Sequence, residues 1–182
     1  WTLTNIGAPE VVLGDVGGEP LALAFDAQGA RLLVASKDGA IAVWDLKERK
    51  VASRLAGHPG GTHALAFLPG ETHVVSAGAD GRARLWSLAD GQAVASFSGH
   101  DGPILALAVH PGGKILATGG ADRTIRLFDV VTEQSLGVLR ATAPVSALAF
   151  EPLGARLVSG GRDGWFHVWE LLTGELLESH QA

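Results

Sequence analysis

The chain contains the stretch Ser76-Ala77-Gly78-Ala79-Asp80-Gly81-Arg82-Ala83-Arg84-Leu85-Trp86, which predicts a β-strand, a tight Asp-Gly turn and a second strand that ends in tryptophan. The pattern occurs four times, and in each copy an aromatic residue follows the turn aspartate by six positions: Asp38 and Trp44, Asp80 and Trp86, Asp122 and Phe128, and Asp163 and Trp169. Successive aromatic residues lie 42, 42 and 41 positions apart. A fixed period of this length indicates a repeat architecture.

Composition narrows the class of protein. The 182 residues are enough for one domain with a sizeable core, and a hydrophobic content of 47% argues against disorder. No apolar run approaches the roughly 18 residues that a membrane-spanning helix needs, so we expect no membrane insertion. The chain has no cysteine, which excludes disulfides, thiolate metal sites and cysteine nucleophiles. A cysteine-free protein suits the cytoplasm and the periplasm, so the compartment stays open.

The charge distribution argues against nucleic acid as a partner. The net charge is −5, and the only basic block is the short run at 47–50. Sequence-independent binding to nucleic acid needs a clustered positive surface, which this pattern does not predict. The chain begins at Trp1 and contains no methionine. We therefore expect it to be a processed product or an excised piece of a longer protein.

Each repeat opens with a strand in which alanine alternates with larger apolar residues. These segments lie at 21–25, 64–67, 105–109 and 147–150. A period of two indicates a strand, and here one face carries small side chains and the other large ones. Both faces must then be buried, as they are in the innermost strand of a propeller blade, although an ordinary sandwich core is the alternative.

Four short strands fit into each period, and no segment has helical periodicity. The prediction is therefore an all-β fold of four four-stranded antiparallel blades in a single domain spanning residues 1–182. We place the repeats at about 19–58, 59–100, 101–141 and 142–182, after a leading orphan strand within residues 1–18, near 9–13.

The motifs resemble those of the WD-repeat β-propellers over essentially the whole chain. The family signature is a Gly-His pair before the inner strand and a Trp-Asp pair that closes the third strand. Gly57-His58 and Gly99-His100 match the first pair, and Trp44-Asp45 matches the second. Trp86-Ser87, Phe128-Asp129 and Trp169-Glu170 are variants of the second pair, and all stand in phase with the Asp turns.

The resemblance implies a buried hydrogen-bonded network of His, Ser or Thr, Asp and Trp within each blade. The second repeat carries the full set, and the other repeats carry partial sets. The implied network residues are His58, Ser76, Asp80 and Trp86; His100, Thr118 and Asp122; Ser159, Asp163 and Trp169; and Asp38 and Trp44.

The same residue types invite a catalytic hypothesis. His58, Ser76 and Asp80 could form a hydrolytic triad. However, the serine lies inside a predicted strand and no G-x-S-x-G motif occurs, so we predict no catalytic residue and no enzyme. The histidines show no metal-ligand spacing, and no nucleotide-binding motif is present, so no metal and no cofactor are predicted.

The face that carries the Asp turns is the candidate partner surface. Propellers often bind partners there, and arginine and tryptophan are enriched at interface hot spots. The candidate residues are Lys37, Arg82, Arg123, Arg162 and Trp165. The alternative is that the arginines only cap solvent-facing turns and that Trp165 packs against a neighbouring blade.

Four blades are few for this family, whose members commonly have about seven. The chain could be part of a larger propeller, it could complete an eight-bladed ring as a homodimer, or four blades could close by themselves. The resemblance implies a non-catalytic scaffold that binds another protein. The alternative is the propeller portion of a larger multidomain enzyme or electron-transfer protein whose chemistry lies outside this chain, and a free-standing hydrolase ranks third.

Overall fold

A computed structural model describes residues 18–181, and these residues form sixteen β-strands. The strands make four antiparallel sheets, each with its four strands in chain order. Blade 1 consists of β1 (Pro20–Phe25), β2 (Arg31–Ser36), β3 (Ile41–Asp45) and β4 (Lys50–Leu55), and blade 2 of β5 (Thr62–Phe67), β6 (His73–Gly78), β7 (Ala83–Ser87) and β8 (Ala93–Phe97). Blade 3 consists of β9 (Ile104–Val109), β10 (Ile115–Gly120), β11 (Thr124–Asp129) and β12 (Ser135–Arg140), and blade 4 of β13 (Val145–Phe150), β14 (Arg156–Gly161), β15 (Trp165–Glu170) and β16 (Leu176–Gln181).

This architecture confirms the predicted all-β fold of four meandering blades. The strand expected near 9–13 lies outside the described residues. Within residues 18–181, no helix is long and apolar enough to cross a membrane.

The alternation of small and large side chains determines how the blades stack. Between blades 1 and 2, Ala22 and Ala24 of β1 pack in the same cluster as Leu65 of β5 and Trp86 of β7. The side chains of blade 2 that face the other way, such as Ala77, pack with blade 3. At the first two junctions, large side chains of one inner strand therefore fit against alanines of the inner strand before it. The core consists of the three junctions between blades and a smaller buried cluster in blade 1 that includes Val34 and Trp44.

The inner strands converge as the pattern predicted. Contacts between neighbouring blades run from β1 to β5, from β5 to β9 and from β9 to β13. A space of about 270 Å³ between these strands is lined by residues of all four, including Ala22, Leu65, Ala106 and Leu148. Small side chains on one face of each inner strand are what allows the strands to approach so closely.

An irregularity in pairing occurs at the same place in every blade. The register between the third and fourth strands shifts next to the closing aromatic residue, at Trp44, Trp86, Phe128 and Trp169. A bulge of this kind re-aims a side chain and increases the local twist. In blades 2, 3 and 4 the aromatic ring beside the bulge packs in the junction with the preceding blade, and Trp44 packs among residues of its own blade.

The turn of blade 1 packs tightly against the loop that leads into blade 2. The amide of His58 donates to the carbonyl oxygen of Gly39 at 3.1 Å, and the buried hydroxyl of Thr62 donates to the same oxygen. Gly57 has φ +64°, and a Cβ built there would overlap that carbonyl oxygen. No side chain fits at Gly57 without moving the backbone.

Replacing Gly57 with alanine is therefore expected to be costly. Gly29 is a matched control, because its φ is +66° and a Cβ there meets nothing within 4 Å. We expect Gly29→Ala to cost about 1 kcal/mol from the left-handed backbone conformation, and Gly57→Ala to cost about 3 kcal/mol or more because overlap is added. Urea unfolding measures both costs, and equal losses in the two variants would contradict the argument.

Candidate functional site

The second blade brings four predicted residues into one hydrogen-bonded chain. His58 comes from the loop between β4 and β5, Ser76 from β6, Asp80 from the turn after it, and Trp86 from β7. The indole nitrogen of Trp86 donates to the hydroxyl oxygen of Ser76 at 2.8 Å, and that hydroxyl lies 2.8 Å from His58 Nε2. His58 Nδ1 lies 2.8 Å from a carboxylate oxygen of Asp80. The side chains of His58 and Ser76 are fully buried.

A single protonation state satisfies every member of this chain. If His58 carries its proton on Nδ1, it donates to Asp80, and its Nε2 accepts from Ser76. Burial lowers the pKa of His58 and outweighs the opposing effect of the Asp80 carboxylate, while the nearby Arg84 guanidinium lowers the pKa further. The imidazole is therefore held neutral, which this hydrogen-bond pattern requires.

Arg84 also belongs to the network of blade 2, although the sequence analysis did not include it. Its Nη1 lies 2.7 Å from the second carboxylate oxygen of Asp80 and also contacts His58. Burial raises the pKa of Asp80, but the hydrogen bonds from Arg84 and His58 outweigh burial and hold that pKa below its usual value. The spacing of four residues between Asp80 and Arg84, with opposite charges on either side of the turn, could have indicated this ion pair.

The contacts among Ser76, His58 and Asp80 have the connectivity of a hydrolytic triad, but their surroundings do not suit catalysis. Ser76 has no solvent-exposed surface and lies inside β6. Its hydroxyl oxygen also accepts the indole N–H of Trp86. A nucleophile must reach a substrate carbonyl, and this oxygen is enclosed by its own partners. The arrangement ties the strands of the blade together.

The third blade repeats the network without an indole. His100 Nδ1 lies 3.0 Å from Asp122, and His100 Nε2 lies 2.9 Å from the hydroxyl of Thr118. Burial raises the pKa of Asp122, but hydrogen bonds from His100, the amide of Asp101 and Thr124 outweigh it, so the pKa lies below its usual value. Phe128 offers no N–H to the Thr118 oxygen, and the carbonyl oxygen of Arg126, 3.4 Å away, is a second acceptor for the Thr118 hydroxyl proton.

The fourth blade replaces the missing histidine with two residues that sequence reasoning did not find. Trp169 donates to Ser159 at 2.8 Å, as in blade 2. The Thr142 hydroxyl donates to Asp163 at 3.0 Å and lies 3.5 Å from Nε2 of the buried His167. His167 occupies the register position of Arg84, opposite the strand serine. The equivalence of His167 and Arg84 is seen only when the paired strands are aligned. A search of the sequence for Gly-His pairs could not find it.

The first blade contains the least complete set. The Ser36 hydroxyl donates to Asp38, and this bond is the main reason that the pKa of Asp38 lies below its usual value. Val34 stands where the other blades carry serine or threonine, and it pairs in register as Ser76 does. The indole nitrogen of the buried Trp44 consequently has no hydrogen-bond partner among the described residues.

The turn aspartates share one further contact. Each of the four accepts a hydrogen bond from the amide two residues later, at 3.1 to 3.2 Å: Asp38 from Ala40, Asp80 from Arg82, Asp122 from Thr124, and Asp163 from Trp165. The bond from the Trp165 amide is the main reason that the pKa of Asp163 lies below its usual value. The turn carboxylates are thus occupied within their own blades.

The candidate partner residues lie at or beside the turns between the second and third strands, one turn in each blade and all at the same end of the blades. We call this end the turn face: Lys37, Arg82, Arg123, Arg162 and Trp165. All five are exposed, and Trp165 retains 40% of its surface. Lys37 forms an exposed ion pair with Glu19 at 2.9 Å. Within residues 18–181, the side chains of Arg82, Arg123 and Arg162 have no ion pair.

The two larger grooves lie away from the hydrogen-bonded networks of the blades. Two open grooves of about 570 Å³ each lie at the opposite end of the blades from the turn face, one beside Phe67 and Pro69 and the other beside Leu153 and Leu172. Among the described residues, no group of three or more His, Asp or Glu side chains is placed to hold a metal ion.

The unpartnered indole of Trp44 leads to a stabilising substitution. Val34→Thr keeps the shape of the side chain and adds a hydroxyl where Ser76 and Ser159 accept an indole N–H at 2.8 Å in their blades. We expect the variant to gain about 1 kcal/mol in the free energy of unfolding. Val34→Ala, the control, removes buried methyl groups without adding an acceptor and is expected to lose about 2 kcal/mol. A threonine variant less stable than the wild type in urea unfolding would contradict the assignment.

The depressed pKa of His58 gives the second blade a pH dependence. The unfolded chain binds a proton near pH 6.5 and the folded chain does not, so the free energy of unfolding falls as the pH drops below about 6.5. The contribution is complete above that pH. We expect His58→Gln to be less stable at pH 8 but to have a shallower slope of stability against pH between 7 and 5. Parallel slopes in urea unfolding of the two proteins would show that His58 is not held neutral.

Comparison with known proteins identifies the repeat. A family model described as WD40, WD domain, G-beta repeat, matches residues 14–45, 49–87, 91–129 and 133–170. Each match ends one residue after the closing aromatic residue of a blade. A search among curated proteins gave no match. The second, third and fourth matches each span the fourth strand of one blade and the first three strands of the next. Because the four matched segments cover well over half of the chain, the protein belongs to the WD40 repeat family.

Proposed function

We propose that this chain is a non-catalytic interaction scaffold and that its turn face binds an acidic segment of another protein. WD40 repeats commonly mediate protein interactions, which makes a protein partner the starting expectation. The compact networks inside the blades support a structural role for the His, Ser and Asp side chains. The partner's chemistry is argued from the charges that remain exposed.

The proposal rests on a difference between the acidic and the basic side chains at the turns. The four turn aspartates accept hydrogen bonds within their own blades. Arg82, Arg123 and Arg162 are exposed and have no ion pair among the described residues. A guanidinium group presents several donors that match a carboxylate in geometry, so three such groups favour a partner rich in Asp or Glu.

Trp165 adds an apolar contact to the same face. Its amide donates a hydrogen bond to Asp163, which anchors the backbone, while the residue stays 40% exposed to solvent. Tryptophan and arginine are the residue types that most often contribute large shares of binding energy at interfaces. The proposed partner segment therefore carries an apolar or aromatic residue beside its carboxylates.

Charge reversal in the two middle blades tests this function. The probe is a fluorescein-labelled peptide of alternating Glu and Asp residues around one Phe, with fluorescence anisotropy as the measurement. We expect Arg82→Glu/Arg123→Glu to weaken binding about tenfold or more, since two favourable contacts become repulsive. Trp165→Ala is expected to weaken binding without changing its dependence on salt concentration.

The chain offers a matched control at the other end of blade 1. Lys47→Glu/Arg49→Glu makes the same change of net charge in the exposed turn between β3 and β4. The peptide should bind this variant as it binds the wild type, because the altered charges lie away from the turn face. Equal weakening by both double variants would indicate nonspecific attraction, and no binding of the peptide to the wild type would reject an acidic partner.

A further inference from the structure

The first blade exposes a face that the interior blades bury. Leu23 and Phe25 hold in β1 the register positions that Leu65 and Phe67 hold in β5. Leu65 retains only 9% of its surface, whereas Leu23 and Phe25 each retain 62%. Large apolar side chains this exposed in a row usually mark an interaction site. We call Leu21, Leu23 and Phe25 the leading strip.

The fourth blade exposes the opposite kind of face. Ala147 and Ala149 of β13 are exposed, and Val158 of β14 lies beside them half-buried. Ala149 pairs with Val158 as Ala24 pairs with Leu33 in blade 1. We call Ala147, Ala149 and Val158 the trailing strip.

The three junctions inside the molecule define what fits each strip. In the first junction, Ala24 and Leu33 pack against Leu65 and Phe67 of the next blade. In the second junction, Ala66 of blade 2 packs in the same cluster as Leu107 and Val109 of blade 3. In the third, Ala117 of blade 3 packs in the same cluster as Leu148 and Phe150 of blade 4. The trailing strip therefore has the shape that accepts a leading strip, and the chain carries one of each.

We propose that a second copy of this chain docks head to tail, with the leading strip of each copy against the trailing strip of the other. Two such contacts close a ring of eight blades with a twofold axis along its centre. A heterologous contact that closes after two copies gives a defined dimer and leaves no strip exposed. On the inner strands, the proposed interface repeats the contact of alanine with larger side chains that the first two junctions show.

Charges at the turn end support the same pairing. Glu19 corresponds to Gly61, because their carbonyl oxygens accept from the equivalent amides of Lys37 and Ala79. A Cβ built on Gly61 comes within 3.5 Å of the carbonyl oxygen of Lys37 in the preceding blade. In blade 4 the residue that precedes the turn aspartate, as Lys37 does in blade 1, is Arg162. A head-to-tail contact therefore places Glu19 of one copy, which pairs with Lys37 of its own chain at 2.9 Å, near the backbone of Arg162 of the other copy, so opposite charges come close to each other.

The contact is confined to the part of the ring near the axis. Farther out on the same face of blade 1, Leu32, Val34 and Trp44 are already buried. Only the strip on β1 remains open, so the interface is small and its stability depends on the few side chains of the two strips. Single substitutions there are expected to have large effects.

The molar mass in solution is the first test. Light scattering coupled to size exclusion should give twice 18.8 kDa for the 182-residue chain at tens of micromolar, with dissociation on dilution. Leu23→Asp and Ala149→Arg should each weaken the dimer at least tenfold, because each buries an unpaired charge at both contacts. Leu172→Asp is the control, since Leu172 is 92% exposed and lies outside both strips.

Mixing the two variants distinguishes head-to-tail docking from other modes. A Leu23→Asp chain keeps its trailing strip and an Ala149→Arg chain keeps its leading strip, so the mixture forms one intact contact, and the other brings an acidic group beside a basic one. A dimer should reappear only in the mixture. If the leading strips met each other instead, Ala149→Arg would leave the dimer intact.

Several outcomes would overturn the proposal: a monomer at all concentrations, a ladder of higher masses, or a dimer that neither variant affects. The Arg82→Glu/Arg123→Glu variant, which tests peptide binding, should keep the molar mass of the wild type, because neither arginine belongs to the leading or the trailing strip. A failure of ring closure is thereby separated from a failure of the proposed function.

Discussion

The steric limit on inner strands that converge on one axis determines the rest of this structure. Alanine on one face of each inner strand allows the next blade to bring Leu or Phe close, as Ala24 does for Leu65 and Phe67. Because the two faces differ, stacking has a direction, and each junction buries apolar surface that supplies most of the stabilisation. The same asymmetry leaves a large face at one end of the array and a small face at the other.

Hydrogen-bonded networks then hold the strands of blades 2, 3 and 4 to the loops that precede them, through His58, His100 and Thr142. The pairing of a strand hydroxyl with an indole recurs in blades 2 and 4. Blade 3 has a phenylalanine in place of the indole, and the indole of blade 1 has no hydrogen-bond partner among residues 18–181. A buried network is stabilising when every member has a partner. The networks also occupy the turn carboxylates, and the exposed arginines beside them are what distinguishes the turn face chemically.

Much of the fold, and the main residues of the network in blade 2, could be predicted from local sequence patterns. Period-two alternation and the six-residue step from Asp to aromatic residue indicated the strands, the turns and the family. The same motifs brought out His58, Ser76, Asp80 and Trp86, which the structure joins through contacts of 2.8 Å. The roles of Arg84, Thr142 and His167 could not be predicted, because they depend on which residues stand opposite one another across paired strands.

The sequence by itself determined the number of repeats, the strand pattern and the unequal faces of each inner strand, because these depend on residues close together in the chain. Only the tertiary structure decided which faces stay open. Leu23 and Leu65 have the same local pattern, yet one is 62% exposed and the other 9%. Burial depends on whether a neighbouring blade is present, and that depends on how the blades stack in space.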